Sequence, residues 1–477
     1  MNTAIIRNTL GQILRAMSLF LLIPLLVGII YGENVLHFAV TAALCLFVSL
    51  LFSRSKAKNP RLFAREGFII VALAWIMISA LGALPFVISG SIPNYIDAFF
   101  ETVSGFTTTG SSILSDIEAM PKADLFWRSF THWIGGMGVL VFAFAILPLS
   151  GEHSMHIMRA EVPGPTVAKL LPRTRSTARI LYVIYLVLTL VETVLLLFGG
   201  MSLYDALLHA FATAGTGGFS TYSDSIAHFD SLYIEMVCSV FMLIFSVNFN
   251  LYFLILIGRP LLAAKNEEFR WFIGIVAAAT LALAFGLRSD YGFLTGLRHA
   301  FFNVSSIIST TGFCTVDFNL WPEFGKWILV LLMFCGACAG STGGGLKVSR
   351  IVMLLKCAVS EVRHTARPRS INRVRLDGKA LADDDMRSVL VFFMLYIGLF
   401  LFSAFVVSFD GYDMSTTFTA ALSCISNIGP GLGQVGPAGN FAIFSPVSKL
   451  VLSFAMLLGR LEIYPIIVLL SKATWKR

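Results

Sequence analysis

Apolar runs long enough to cross a bilayer of ~30 Å recur near residues 12–31, 35–53, 67–90, 126–149, 178–200, 231–258, 271–288, 326–349, 388–409 and 445–471. They predict ten membrane-spanning helices. The first begins near Gln12, is too long for a signal-peptide core and is followed by no small-residue cleavage pattern, so it is expected to remain as a helix. Four shorter apolar stretches lie between spans three and four, five and six, seven and eight, and nine and ten. At about twelve residues each they are too short to cross, the length expected of re-entrant half-helices. Asp97–Gly110 reads DAFFETVSGFTTTG, Asp205–Gly218 DALLHAFATAGTGG, His299–Gly312 HAFFNVSSIISTTG and Thr416–Gly429 TTFTAALSCISNIG. Each ends in polar residues and a glycine, and the glycines stand about a hundred residues apart, so one unit occurs four times.

The expected architecture is therefore all-α and integral to the membrane. A leading helix pair (1–66) precedes four membrane–pore–membrane units (67–177, 178–270, 271–387 and 388–477), arranged pseudo-fourfold about one axis. Four polar, glycine-bearing loops inside an apolar protein read as the four walls of one pore.

Composition narrows the class. The chain has 477 residues, is 57% hydrophobic and only 13% charged, and has a mean hydropathy of +0.81. A soluble domain of this size could not keep so much apolar surface from water. The seven cysteines are scattered through apolar segments, unlike a disulfide framework. Cys335 and Cys338, a C-x-x-C pair within a span, read as small packing residues.

Charge sets the orientation. Twenty-eight of the 35 Lys/Arg fall in the N-terminus, in segments 54–65, 159–179, 259–270 and 347–387, and in the C-terminus. The positive-inside rule makes these cytoplasmic, puts both termini inside and opens all four re-entrant loops to the outside. The outer segments carry Asp97, Glu101, Asp116, Glu118, Asp124, Asp205, Asp224 and Asp230. Negative charge there would concentrate cations at the mouth.

A cation entering a membrane must exchange water for other oxygens. Rings of backbone carbonyls can supply them, and Thr108-Thr109-Gly110, Thr216-Gly217-Gly218, Thr310-Thr311-Gly312 and Asn427-Ile428-Gly429 suit that task. Glycine lets carbonyls turn toward an axis and lets four chains approach closely. The Ser/Thr hydroxyls can satisfy loop backbone groups and add ligands. No carboxylate lies among these positions, which argues against a divalent-ion ring. The loops are not equivalent in side chains, because Gly215 and Gly217 replace hydroxyl residues in the second and Ile428 precedes the last glycine.

Those loops, with Gly217-Gly-Phe-Ser-Thr221, Ser309-Thr-Thr-Gly-Phe313, Asn427-Ile-Gly-Pro-Gly-Leu-Gly433, Gly340-Ser-Thr-Gly-Gly-Gly-Leu-Lys347 and Leu458-Gly-Arg-Leu-Glu-Ile-Tyr-Pro465, resemble the Trk/Ktr/HKT potassium-uptake superfamily. The likeness covers essentially the whole chain and is greatest to the TrkH/TrkG type of bacterial Trk systems. It implies uptake of K⁺, with Rb⁺ as surrogate, across the bacterial inner membrane. One glycine per loop is associated there with K⁺ selectivity, and Gly110, Gly218, Gly312 and Gly429 are all present. The resemblance also implies homodimers with one pore per protomer, docked on a cytosolic TrkA-like regulatory subunit that responds to NAD(H) or ATP/ADP.

Span eight contains Gly340-Ser341-Thr342-Gly343-Gly344-Gly345, a run costly to hold as helix. Residues 338–346 are expected to form a flexible intramembrane loop beneath the filter, where the resemblance likewise puts a gate. Arg460 sits within the last span, where a charge is functional by default. It is expected to face the pore below the filter as an electrostatic barrier. Glu462, two residues on, lies on a different helix face, and Lys347 could snorkel or touch the loop.

Ten Lys/Arg in 347–387 suit anionic lipid or a docking partner, and Glu267 and Glu268 are candidate further docking points. No Gly-x-Gly-x-x-Gly follows a strand, so the chain itself should not bind a nucleotide in that manner. No nucleic-acid partner is expected. His132, His153, His156, His209 and His299 lack the accompanying ligands of a metal site, and no nucleophile–base constellation marks an enzyme. An ion-coupled secondary transporter is the alternative; the lack of an acidic or histidine proton relay in the spans weighs against it.

Overall fold

A computed structural model describes residues 2–53, 63–138, 174–368 and 374–475. Among these, six helices are long and apolar enough to cross a membrane: Thr3–Tyr31, Leu36–Ser53, Arg65–Ser89, Arg179–Phe198, Glu267–Gly286 and Asp383–Asp410. Two of them are interrupted for a local reason. Pro24 and Pro85 lack the N–H that would bond the preceding turn, and the helices restart at Leu22 and Leu84.

Three of the four remaining predicted spans are broken. Leu232–Phe245 and Phe249–Leu256 meet at 91°, and Pro446–Arg460 and Tyr464–Leu470 at 119°. At the first break Asn248 caps the new helix through the Asn250 N–H. At the second, Glu462 and Ile463 take left-handed backbone angles. The span expected at 126–149 is a helix over Lys122–Gly136; its continuation beyond Gly138 lies outside the described residues, as do His153, His156 and most of the 159–179 segment. The span expected at 326–349 stops at Cys335 and resumes as Val348–Ala366. The loop between covers 336–347, slightly more than expected.

The four short segments are helices at Tyr95–Phe106, Leu203–Gly215, Phe293–Ile308 and Met414–Ser426. Asn94, Ser202 and Asp413 accept a backbone N–H at the starts of the first, second and fourth, the usual N-cap exchange. Nearly every residue over their last two turns is buried. Each is wrapped by other helices: the first by Lys122–Gly136, Ala64–Gly82 and Pro446–Arg460, the third by Glu267–Gly286 and Leu232–Phe245. Because each C-terminus runs straight into its glycine loop, four negative helix-dipole ends converge on the loops.

The all-α expectation needs one amendment. Arg375–Leu376 pairs antiparallel with Lys379–Ala380 around Asp377-Gly378, both with positive φ, the Asp-Gly signature of a two-residue hairpin.

Candidate functional site

The four loops share one backbone conformation. Thr108, Thr216, Thr310 and Asn427 have φ of 54°, 56°, 61° and 57°. In each loop that residue donates its N–H three residues back: to Gly105, Thr213, Ile307 and Cys424. The next residue donates five back, to Ser104, Ala212, Ser306 and Ser423, at 2.8–3.0 Å. This is the Schellman termination of a helix, made four times in one register. A β-branched residue in the left-handed region costs about 1–2 kcal/mol; the paired hydrogen bonds offset that cost. Differences in side chains between loops do not disturb the shared backbone.

Two residues further on, Gly110, Gly218, Gly312 and Gly429 have φ of 82°, 76°, 86° and 105°. A β-carbon on Gly110 would lie 2.0 Å from the Gly217 carbonyl oxygen; on Gly218, 2.0 Å from that of Thr311; on Gly312, 2.0 Å from that of Ile428; on Gly429, 2.9 Å from that of Thr109. Loop one meets loop two, two meets three, three meets four, and four meets one. The ring is closed, and any side chain at these positions would force it apart. The four glycines line the floor of a cavity of about 150 Å³ walled by Ser111, Ser220, Tyr222 and Pro430 among others.

Hydroxyls brace this ring. Thr107 and Thr109 share a hydrogen bond at 2.8 Å and Ser309 and Thr311 one at 2.7 Å. Asn427 reaches across to Thr109 at 2.9 Å, tying loop four to loop one. Thr108 and Thr216 hydroxyls turn back on the carbonyls of Thr107 and Gly215.

Loop two departs from the Thr pattern for a reason the sequence could not reveal. A β-carbon on Gly217 would strike the imidazole of His132, 2.4 Å from Nδ1. His132 is wholly buried and stacks on Phe219 with centroids 4.0 Å apart. One turn earlier on the same helix, Arg128 lies 3.5 Å over the Phe219 ring, donates to the Ser220 carbonyl at 3.0 Å and pairs with Glu101 at 2.7 Å. Glu101 in turn accepts from Ser112 and the Ile113 N–H. A buried ion pair thus joins the first two loops beside the cavity that the glycines line.

The acidic mouth expected from sequence is correspondingly thinner. Glu101 is neutralised by Arg128, and Asp97 pairs with Lys449 at 2.6 Å. Asp124 is buried against His37, Ser89 and Ser91. Asp205 accepts from Ser202 and Thr221. Asp116, Glu118, Asp224 and Asp230 remain exposed.

Directly against loops three and four runs the non-helical stretch 336–347. Gly344 donates its N–H to the Thr310 hydroxyl at 2.6 Å. A β-carbon on Gly343 would lie 2.8 Å from the Ser309 carbonyl oxygen, and one on Gly344 2.3 Å from that of Ser426. Thr342 bonds the Phe245 carbonyl, and Gly340 accepts from Phe249 N–H, across the 91° break. Ser341 closes on Cys338, and Gly345 takes a φ of 75°. Lys347 does touch the loop, donating to the Gly343 carbonyl.

Arg460 is the last residue of its helix before the 119° bend. It donates to the Thr342 carbonyl at 2.6 Å and to the Gly135 and Gly136 carbonyls at 2.5 and 2.6 Å. It therefore bridges the intramembrane loop to the helix that carries His132. Glu462 pairs instead with Arg350 at 2.5 Å. Of the two candidate docking acids, Glu268 is buried against the intramembrane loop, and Glu267, partly exposed, pairs with Lys356. Among the described residues no group of three His, Cys, Asp or Glu could hold a metal ion.

Residues 33–282 and 289–476 match the TrkH family, described as cation transport protein. The chain is 39% identical to the Trk system potassium uptake protein TrkH of Salmonella typhimurium, over 99% of both chains. It is 35% identical to TrkG of Escherichia coli, over 100% of both. The crystal structure of the potassium transporter TrkH from Vibrio parahaemolyticus superposes with a TM-score of 0.90 at 35% identity, covering 100% of each chain. These relatives are transport proteins and not enzymes. The chain is thus a multi-pass membrane protein that belongs to the TrkH family of cation transport proteins.

Proposed function

We propose that the chain conducts K⁺ into the cell through the ring formed by Thr108–Gly110, Thr216–Gly218, Thr310–Gly312 and Asn427–Gly429. The observation that carries this reading is the closed contact order of four loops with one shared backbone conformation. Carbonyl oxygens of these residues replace the hydration shell of a monovalent cation, and the four converging helix ends add favourable potential. The ring is far shorter than a potassium-channel filter, so selectivity over Na⁺ is moderate. Rb⁺ follows K⁺.

In this reading the ten spans form a leading pair and four membrane–pore–membrane units, with boundaries at 1–66, 67–177, 178–270, 271–387 and 388–477. Residues Gly340–Gly345 close the path beneath the ring, and Arg460 both clamps that loop and repels cations until it opens. Both termini and the basic 347–387 segment face the cytoplasm of a bacterium, across its inner membrane. There a TrkA-like NAD(H)/ATP/ADP-binding subunit docks and drives the gate, and anionic lipid supports the same surface. The transporter works as a homodimer, one path per protomer. Its relatives' names, which give potassium uptake and a Trk system, support the ion and the multisubunit setting.

One observation favours a coupled transporter. Glu192, in the span Arg179–Phe198, is wholly buried, with only the Thr213 hydroxyl beside its carboxylate and no ion-pair partner among the described residues, a placement typical of proton-carrying acids in membranes. It is a single acid and not a relay. Uptake of ⁸⁶Rb⁺ into proteoliposomes holding the purified chain separates the two. A K⁺ gradient alone drives it if the chain is a pathway, with K⁺ competing far better than Na⁺. Uptake that needs an imposed H⁺ or Na⁺ gradient, and that Glu192→Gln abolishes in the H⁺ case, means coupled transport.

A further inference from the structure

The two adjacent acids at the start of the helix Glu267–Gly286 face different parts of the molecule. A single oxygen of Glu268, Oε1, accepts the Ala339 N–H at 2.7 Å and the Ser349 N–H at 3.0 Å. These donors lie near the two ends of the intramembrane loop. One carboxylate therefore ties both ends of a twelve-residue irregular segment (336–347) to a straight helix. Charge-assisted bonds of this kind are among the stronger ones a protein makes, and the site is nearly dry, with Glu268 7% exposed.

Glu267 faces the cytoplasmic side. It pairs with Lys356 and accepts the Asp377 N–H at 3.2 Å. Asp377 returns the contact, accepting the Glu267 N–H at 2.7 Å and the Asn266 side-chain N–H at 3.0 Å. Lys356 also donates to the Arg375 carbonyl at 2.7 Å, so the hairpin Arg375–Ala380 is included. Ser349 and Lys356 lie on one helix, Val348–Ala366, which begins where the loop ends. That helix is held at two points, two turns apart, by consecutive residues of its neighbour. It cannot slide along its axis and draw the loop open without breaking both contacts.

We propose that Glu268 is a latch that holds the intramembrane loop shut, and that the Lys356–Glu267–Asp377 cluster at the cytoplasmic surface is its release. Glu268 is a positioning residue; it acts on the path only through the loop. A partner that pulls on the hairpin or competes for Lys356 shifts the balance between shut and open states. The proposal rests on the reading of 336–347 as a gate.

The test is ⁸⁶Rb⁺ flux in proteoliposomes combined with thiol labelling of Cys338, the loop's buried cysteine, in a full-length chain whose other six cysteines are replaced. Glu268→Ala removes both bonds and should raise basal flux at least about ten-fold, since one charged hydrogen bond alone is worth roughly that factor, and should speed Cys338 labelling. Glu268→Gln keeps an oxygen for both N–H groups but loses the charge, so its flux and labelling should fall between wild type and Glu268→Ala. Lys356→Met should raise flux by about three-fold, and add nothing in the Glu268→Ala background, because linked contacts are not additive. Should Glu268→Ala fail to accumulate, Lys356→Met reads the same linkage from the surface. Deleting Gly343 and Gly344 separates the two ideas. If that deletion raises flux while Glu268→Ala and Lys356→Met change neither flux nor labelling, the latch is wrong and the gate stands. If the deletion leaves flux unchanged, the gate reading fails and takes the latch with it.

Discussion

The ring of glycine loops and the stretch 336–347 packed against it are both irregular backbone buried among long apolar helices, yet they are held in opposite ways. Each ring loop is fixed mainly by its own helix, through a termination repeated four times with the same hydrogen bonds. The intramembrane loop occurs once and closes on itself at only a few points; much of what holds it comes from elsewhere: Arg460, Glu268, Thr310, Phe245 and the Asn248 break. A conformation built from local backbone bonds is hard to change without unfolding the helix that makes it. One held by side chains from several neighbours can be released contact by contact. The first suits a part that must keep its shape to recognise an ion, the second a part that must move.

The comparison can be broken most severely at the ion pair beside the ring. Arg128→Met strips the buried Glu101 carboxylate of its charge partner, which should cost about 3–5 kcal/mol and appear as a large drop in detergent thermal stability. A smaller loss would mean the first two loops do not lean on that pair. Next in size, Gly110→Ser puts an atom 2.0 Å from the Gly217 carbonyl oxygen. It should lower K⁺-over-Na⁺ selectivity about ten-fold, worth roughly 1.4 kcal/mol, in competition assays of Rb⁺ uptake. Arg460→Ala acts on the other part. It should raise flux by several-fold, on the order of one lost charged hydrogen bond, while leaving selectivity as it was. A fall in flux with intact folding would remove the clamp from the account.

The smallest effect sharpens the role of local bonds. Asp413 caps the fourth short helix, and hydrogen bonds from the Ser415 and Thr416 side chains hold its carboxyl below the usual range. Its contribution is therefore complete above the ordinary carboxylate pKa and fades as pH falls through the lower, folded value. Asp413→Ala should cost about 1 kcal/mol at neutral pH and cost less as the medium is acidified past that value.

Much of this was legible in the sequence because it is carried by pattern. Hydropathy marked the six helices long enough to cross, and a polar run ending in glycine marked all four loops in the register in which their backbones coincide. The triple glycine marked the break in span eight. Side-chain partnerships across the fold were not legible. Glu101 and Asp97 read as mouth acids because their partners, Arg128 and Lys449, lie 27 and 352 residues away on other helices. Glu268 read as a surface acid for the same reason, since its donors are the backbone groups of Ala339 and Ser349. The gap at Gly217 read as a departure from pattern, whereas His132 fills it. The hairpin at Asp377-Gly378 did carry a signal, the Asp-Gly pair, but its strands are two residues each.

The central claim is that four loops act as one ring, and its most direct measurement is cation selectivity in the four single variants Gly110→Ser, Gly218→Ser, Gly312→Ser and Gly429→Ser. Because each glycine abuts the next loop's carbonyl in closed order, all four should lose K⁺-over-Na⁺ preference in Rb⁺ competition. Loss at one position with the other three unchanged would contradict the ring.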